Sequence, residues 1–480
     1  MRKNLRRRSM PLCKVKKQPE PLRYQRVNTC GECRGCANYS HCLGAKQPLE
    51  NSYKGVRFSA DGFDCALPVS MDTFTACSYQ CIYCFSNFLE GHNQFADNLK
   101  SFNWSRLEGI LNGRLQDQTA KNIRMALKRE QKQPCPIQLG ALNDPFDNIE
   151  RQQGFILKLP ALLKKYNQPC RISTKGILLQ IPEYLDAFSM PDIFWVAFSI
   201  ISIDDDLVAK IDRKAPPPSE RIKTMAALSK RGVSTSLRFR PILPNVSDRT
   251  AKHPHAWREL IEKCAEAGAK AVSMEAIFTP SVIKPEKKQD WDMLEDIIKL
   301  PLRKIYGKNR IKGGACNRLR RELAEDIFYG AYELCNKLGM TFGSSDPLFK
   351  HLSTYGNCCG LPDKDSPFAN WQRENATNVV VEARNNPTKR FTAEDGIPEW
   401  SRHQSMKGMC FSTNATSMAM ANTLWAEKLK SNWNDLSGNR GVLYYLQGIL
   451  KPVGVNGLGD VEYVYNEPAR QHLKYQLYKI

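Results

Sequence analysis

Cys77-Ser-Tyr-Gln-Cys81-Ile-Tyr-Cys84 places three thiols within eight residues. Structural zinc usually takes four ligands in paired halves. Three thiolates at x3 and x2 spacing suit instead a cubane iron–sulfur cluster with one iron left without a protein ligand. That open iron can be chelated by the amino and carboxylate groups of S-adenosylmethionine. An electron from the cluster then breaks the carbon–sulfur bond and releases a 5′-deoxyadenosyl radical, while the protein positions the cofactor and excludes water. A zinc loop or incidental cysteines are the alternatives that the spacing leaves open.

A second cluster, Cys30, Cys33, Cys36 and Cys42, has x2, x2 and x5 spacing. Its ferredoxin-like start favours an auxiliary [4Fe–4S] cluster, with structural zinc as the alternative. His41 adjoins Cys42 and could substitute for it. Of the chain's 17 cysteines, Cys65, Cys135, Cys170 and Cys264 are isolated and read as small buried hydrophobes. Cys316, Cys335, Cys358, Cys359 and Cys410 are scattered. The stretch Tyr355–Pro362 around the Cys358-Cys359 pair could supply further ligands or packed thiols.

The 480 residues carry a net charge of +21, with 42% hydrophobic and 25% charged residues. Wholesale disorder is excluded by that composition, and a polyanion partner, most often nucleic acid, is favoured. Residues 1–26 hold ten Lys/Arg and one acid, Glu20. Residues 299–321 hold nine Lys/Arg and no acid, with Tyr306 among them. Basic residues with an interleaved aromatic suit phosphate contacts and base stacking; a solvated helix face is the alternative. No apolar run approaches a membrane span, and no export signal follows Arg7-Arg8, so a cytoplasmic protein is expected.

Short apolar runs predict strands at Ile137–Ala141, Arg171–Thr174, Trp195–Ile200, Ser236–Pro241 and Ala271–Ile277. Helical patterns lie between them, at 104–130, 150–166, 178–188, 217–231 and 254–267. A helix at 315–338 and a run at Met340–Phe342 add a sixth unit. This alternation predicts an α/β parallel sheet with right-handed crossovers, a partial (β/α)6 barrel. The expected division is a basic flexible tail (1–26), a Cys-rich metal-binding segment (27–64), the partial barrel (65–347) and a mixed C-terminal extension (348–480). Gly454–Gly459 reads as a hairpin turn rather than a nucleotide loop.

The triplet, with Tyr83 just before Cys84, resembles the signature of radical S-adenosylmethionine enzymes. Gly140-Ala-Leu-Asn-Asp-Pro-Phe-Asp-Asn-Ile-Glu-Arg151 is similar to a segment of the spore photoproduct lyase-like, or DNA repair photolyase-like, branch. So are Ser173-Thr-Lys-Gly176, Ala215-Pro-Pro-Pro-Ser-Glu-Arg221 and Arg238-Phe-Arg-Pro-Ile-Leu-Pro-Asn-Val-Ser-Asp248. The resemblance spans about residues 65–347. It implies that Cys77, Cys81 and Cys84 hold a catalytic [4Fe–4S] cluster, that Tyr83 packs near the adenine of S-adenosylmethionine, and that Asn143, Asp144, Lys175 and Ser199 face that cofactor from strand ends, where parallel barrels place their chemistry. A turn residue is the alternative for Asp144, a solvated charge for Lys175. Spore photoproduct lyase carries a hydrogen-donor cysteine that Gly140–Asp144 lacks.

The resulting expectation is a radical enzyme that modifies or rearranges a nucleobase, with DNA the expected substrate. One version is isomerisation of an amino-acid adduct on a hypermodified thymine of a bacteriophage. A photoproduct repair lyase using Tyr79 or another residue for hydrogen return, a peptide-maturation enzyme, and a zinc-stapled non-catalytic nucleic-acid-binding protein are the alternatives. An electron donor such as flavodoxin or ferredoxin is implied for the radical readings.

Overall fold

The structure is a computed structural model. It describes residues 49–53, 55–58, 66–88, 100–129, 134–280, 285–308, 316–318, 321, 324–360, 368, 375–397, 399–402, 424–437, 441–446, 448–467 and 469–470. The strands, in chain order, are β1 (Leu49–Tyr53), β2 (Arg57–Phe58), β3 (Val69–Met71), β4 (Lys100–Phe102), β5 (Ile137–Leu139), β6 (Cys170–Thr174), β7 (Phe194–Ser199), β8 (Ser234–Ile242), β9 (Ala269–Ala276), β10 (Thr279–Pro280), β11 (Cys316–Asn317), β12 (Thr341–Ser344), β13 (Leu450–Val455) and β14 (Val461–Tyr465).

Eight of them form one sheet in the order β12-β9-β8-β7-β6-β5-β3-β2. The pairings from β3 to β12 are parallel, and β2 joins β3 antiparallel. The sheet is therefore the expected partial barrel, open between β12 and β2. It has one parallel strand beyond the predicted six. The additional strand is β3, only three residues long, which leads into the cysteine loop.

Strand faces divide by chemistry. Ile172, Val196, Phe198, Leu237, Phe239, Val272 and Met274 pack outward into the main core with the surrounding helices. At about 1.5–3 kcal/mol per fully buried large apolar side chain, this outer layer is the principal source of stability. The alternate residues, which must face the other way, include Arg171, Ser173, Ser199, Arg238, Arg240 and Ser273. Trp195, Ala271, Cys358, Cys359 and Phe368 close the end of the barrel opposite the cysteine loop. The chain at Cys358 enters the lumen, where its carbonyl accepts from Ser273 Oγ at 2.6 Å. Val379, Phe391, Trp433 and Tyr463, from the C-terminal 130 residues, join the same outer core.

Helix ends follow local chemistry. Pro218 starts the helix Pro218–Lys230, and Gly232, at φ 81°, ends it as expected. The pattern at 104–130 resolves into two helices, Trp104–Leu111 and Gln118–Ala126. Gly113 (φ 76°) breaks the first, and the Asp117 carboxylate caps the second through Ala120 N–H. Gly154 (φ 57°) likewise splits 150–166 after the helix Asn148–Gln153. The helix predicted from 315 begins at Glu325, because Cys316–Asn317 pairs antiparallel with Thr279–Pro280. β13 and β14 form the expected hairpin, with Asn456 Oδ1 accepting from Leu458 and Asp460 N–H at 2.9 Å each. No helix among the described residues is long and apolar enough to cross a membrane.

Gly140 ends β5 at φ 77°, and a Cβ there would lie 2.4 Å from the Ser173 carbonyl oxygen. Gly140→Ala is expected to lower stability by about 2 kcal/mol or more, read as a lower urea midpoint. Gly457→Ala, whose Cβ would meet nothing within 4 Å, should change it by less than about 0.5 kcal/mol.

Candidate functional site

The loop Cys77–Cys84 follows β3 at the C-terminal ends of the parallel strands. Gln80 adopts φ 51°, a left-handed conformation that turns the loop between Cys77 and Cys81. Neighbouring segments hold it along its length. Ser78 N–H donates to Asp147 Oδ2 at 2.6 Å, and Asn148 N–H donates to Ser78 Oγ at 3.0 Å. Tyr79 Oη donates to the Phe146 carbonyl at 2.9 Å. Lys214 N–H donates to the Tyr79 carbonyl at 3.2 Å, and Ile82 N–H to that of Ile211 at 3.1 Å. Cys84 N–H closes a turn on the Cys81 carbonyl at 3.1 Å, and Cys84 Sγ lies 2.9 Å from Ser86 Oγ.

Cys81 is buried, while Cys77 and Cys84 are half-buried. Burial, reinforced by the Asp147 and Asp144 charges, pushes the Cys77 thiol well up; burial and Asp212 push up that of Cys81. As they stand, the thiols hold their protons, and a cation must displace them to bind. Among the described residues no group of three His, Cys, Asp or Glu side chains stands in metal-holding geometry, this triplet included. The donor set nonetheless fits an iron–sulfur cluster: three thiols on one clamped loop.

Beneath the loop, four side chains form one buried network. Asp212, fully buried, accepts from Tyr83 Oη at 2.7 Å and Lys175 Nζ at 2.8 Å on Oδ1, and from Arg221 Nη2 at 2.8 Å on Oδ2. Lys175 Nζ also donates to Tyr83 Oη and sits 4.8 Å from the Tyr83 ring centroid. Arg221, equally buried, donates to the carbonyls of Pro216 at 2.8 Å and Ser199 at 2.7 Å. Burial alone would raise the Asp212 pKa, but the Lys175 ammonium and Arg221 guanidinium hold it well below the usual carboxylate range.

Tyr83 and Lys175 are thus brought together, while Asn143 and Asp144 sit on the neighbouring turn. Asp144 is committed internally: it accepts from Phe146 N–H at 3.0 Å, Thr174 Oγ1 at 2.7 Å and Lys175 N–H at 2.5 Å. Its carboxylate ties the β5 turn to the end of β6 and so positions Lys175. Asn143 donates its side-chain amide to the Phe74 carbonyl, and its buried Oδ1 has no partner. That is an acceptor still open to a ligand donor. Ser199 Oγ, at the end of β7, accepts from Arg238 at a long 3.5 Å.

Two residues of this site went unremarked in the sequence. Asp212 had no signal of its own, since its partners are 9, 37 and 129 residues away. Arg221 lay within a quoted segment but carried no assigned role. Tyr79, considered for hydrogen return, is buried with its hydroxyl committed to Phe146.

The basic segment is corrected more strongly. Tyr306 is 1% exposed and packs with Trp291, Leu294 and Ile298 in a second core, so it offers no ring to a base. Its cations are partly answered. Arg303 pairs with Asp292 and Glu295 at 2.5 Å, Lys299 with Asp296 at 2.8 Å, and Arg318 with Glu275 at 3.2 Å. Cys135, Cys170 and Cys264 are buried as expected. Cys30, Cys33, Cys36, Cys42, Cys65 and the 1–26 tail lie outside the described residues.

Comparison with known proteins bears on this arrangement. Residues 71–256 match the family model of the radical SAM superfamily. Uncharacterized proteins of Mycobacterium bovis and Mycobacterium tuberculosis are 24% identical over 217 residues, covering 44% of this chain and 59% of theirs. A spore photoproduct lyase complexed with dinucleoside spore photoproduct has 13% identity and a TM-score of 0.44, covering 68% of this chain and 87% of that one. Streptococcus suis SuiB bound to precursor peptide SuiA has 11% identity and a TM-score of 0.33, covering 58% and 49%.

Asp212→Asn strands the Lys175 and Arg221 charges and is expected to destabilise the protein by about 3–5 kcal/mol, read as a lower urea midpoint at pH 7. The Asp212 carboxylate, with its depressed folded pKa, stabilises fully above about pH 4 and loses that contribution as pH falls further. The difference between parent and variant should therefore shrink in acid. Glu150 has the opposite sign. Burial raises it to about 8, so its stabilising effect is present below about pH 4 and lost as pH rises through 8. Glu150→Gln should flatten the parent's decline in denaturation midpoint between pH 5 and 8.5.

Proposed function

We propose that this chain, a radical S-adenosylmethionine enzyme through residues 71–256, acts on a nucleobase, with DNA as the first choice of substrate. The observation that carries the nucleic-acid part is the net charge of +21. A barrel enzyme acting on a base must take it out of the stack or find it unpaired. Isomerisation of an amino-acid adduct on a hypermodified phage thymine is one form of this reading, and photoproduct repair is the other.

Cys77, Cys81 and Cys84 would hold the [4Fe–4S] cluster of the family, which supplies the electron for reductive cleavage of S-adenosylmethionine. Binding requires the Cys77 and Cys81 thiols to lose their protons and the three sulfurs to converge. The backbone that carries them is already held from both sides by Asp147 and by the segment 211–215, which joins the helix Asp205–Ile211 to the helix Pro218–Lys230. Asn143 Oδ1, Lys175, Tyr83 and Ser199 would line the cofactor's place, and Asp144 would position Lys175 rather than touch the cofactor. Asp212 would fix the Lys175 ammonium and the Tyr83 ring. Cys30, Cys33, Cys36 and Cys42 would hold a second [4Fe–4S] cluster or zinc, and a flavodoxin or ferredoxin in the cytoplasm would deliver the electrons.

Anaerobic reconstitution of the full chain followed by reduction should release 5′-deoxyadenosine. A Cys77→Ala, Cys81→Ala, Cys84→Ala triple variant should release none and should retain the metal bound by Cys30–Cys42. Zinc alone with no deoxyadenosine would sink the radical reading, and loss of all metal from the triple variant would sink the two-site assignment. Duplex and single-stranded DNA binding should weaken steeply between 50 and 200 mM salt, by at least about tenfold. A salt-independent association would remove the nucleic-acid argument.

A further inference from the structure

Inside the barrel, next to the strand ends that carry the candidate cofactor residues, three guanidiniums come together. β8 presents Leu237 and Phe239 to the outer core, so Arg238 and Arg240 face the lumen. Arg171 on β6 faces it as well, donating to Gln138 Oε1 at 2.6 Å and Ser173 Oγ at 2.8 Å. These charges sense one another: burial, then the Arg240 and Arg171 charges, lower the Arg238 pKa to about 10.

Among the described residues, the partners of Arg238 and Arg240 are mostly neutral. Arg240 donates to Ser273 Oγ and to the Cys358 carbonyl. Arg238 reaches Ser199 Oγ at 3.5 Å, at the edge of hydrogen-bonding distance. The carboxylate that answers Arg240 is Glu275, at 4.0 Å, and it is shared with Arg318 at 3.2 Å. The neighbouring Cys358 supplies no negative charge, because its bond with Cys359 and its burial push its thiol well up. A desolvated cation whose described partners are neutral, as Arg238 is, is costly to keep charged. Arg238 is half-buried rather than sealed, so a solute can reach it. Its position beside Ser199, the last residue of β7, puts it at the chemical end of the barrel.

We propose that Arg238 and Arg240, with Arg171 adding to their field, form an anion-binding subsite that takes a phosphate or carboxylate of the substrate inside the barrel. This rests on the reading of the barrel as a radical enzyme's active site and adds to it that the group being modified sits beside a fixed anion. A planar guanidinium pair recognises either oxyanion by charge-assisted hydrogen bonds.

The reconstituted full chain is titrated calorimetrically with inorganic phosphate and, separately, with acetate, in the presence of S-adenosylmethionine. Saturable binding of one or both is expected; phosphate preference assigns a nucleotide source, acetate preference a carboxylate one. Arg238→Gln should weaken that binding roughly tenfold, and Arg238→Lys by only about threefold. Arg238 is the variant of choice because its removal breaks no ion pair among the described residues. S-adenosylmethionine affinity, measured in the same variants, should change less than threefold. No saturable anion binding in the parent, or equal binding in Arg238→Gln, overturns the proposal. So does a parallel loss of S-adenosylmethionine affinity, which would assign the arginines to the cofactor's own carboxylate. Deoxyadenosine release by the parent is scored independently: its absence removes the radical reading and leaves the anion result to stand or fall alone.

Discussion

The Asp212 carboxylate is the point on which the site depends. It binds the end of β6 through Lys175, the cysteine loop through Tyr83, and the helix Pro218–Lys230 through Arg221. Arg221 in turn holds the carbonyl of Ser199, at the end of β7. One buried anion therefore sets the relative positions of the cysteine loop, two strand ends and the helix that follows. A buried ion pair is a poor source of net stability, because desolvation offsets the Coulomb gain. Its return is positional. The two cations and the phenol must converge on two oxygens, and an apolar substitute would pack without fixing any of their angles.

The partial barrel makes such a network possible by separating two kinds of packing. The outer face carries the large apolar residues and answers to the helices. The inner face carries Gln138, Arg171, Ser173, Ser199, Arg238, Arg240 and Ser273, which no apolar core would accept unpaired. Trp195, Cys358 and Phe368 pack together at the end of this polar interior opposite the cysteine loop. The chain at Cys358–Gly360 runs across β12 and β9. A Cβ on Gly343 would come within 2.8 Å of Gly360 N, so the side-chain-free strand edge is what lets that segment approach.

Much of this was legible from the residues because it is local. The strands alternate every second residue, the helices end at Gly232 and Gly268, and the three cysteines share one short loop. What was not legible is what depends on distant pairing. Asp212 looks like any acid in a loop until Lys175 and Tyr83 are brought to it. β3 was too short to stand out as a strand and gains its identity only by pairing with β5. Tyr306 was read as a stacking ring because the cations around it are contiguous. Leu302, Ile305 and Tyr306 share one buried helix face, and the acids that answer Arg303 and Lys299 come from the preceding helix. A run of like charge says nothing about who stands opposite it.

The same distinction decides how the net charge of +21 should be read. A cation matched by a nearby acid, as Arg303 is, has little field left for a distant polyanion, and salt screens what remains. A cation inside a low-dielectric barrel with neutral partners, as Arg238 is, keeps its field and directs it into the lumen. Total charge points to the class of partner, whereas the location of the unmatched charge says where on the protein that partner must present its own. Among the described residues Arg238 is such a charge, in the interior beside the strand ends that carry Lys175 and Ser199, and under the proposed reading the recognition of substrate and the placement of the chemistry become one geometric problem.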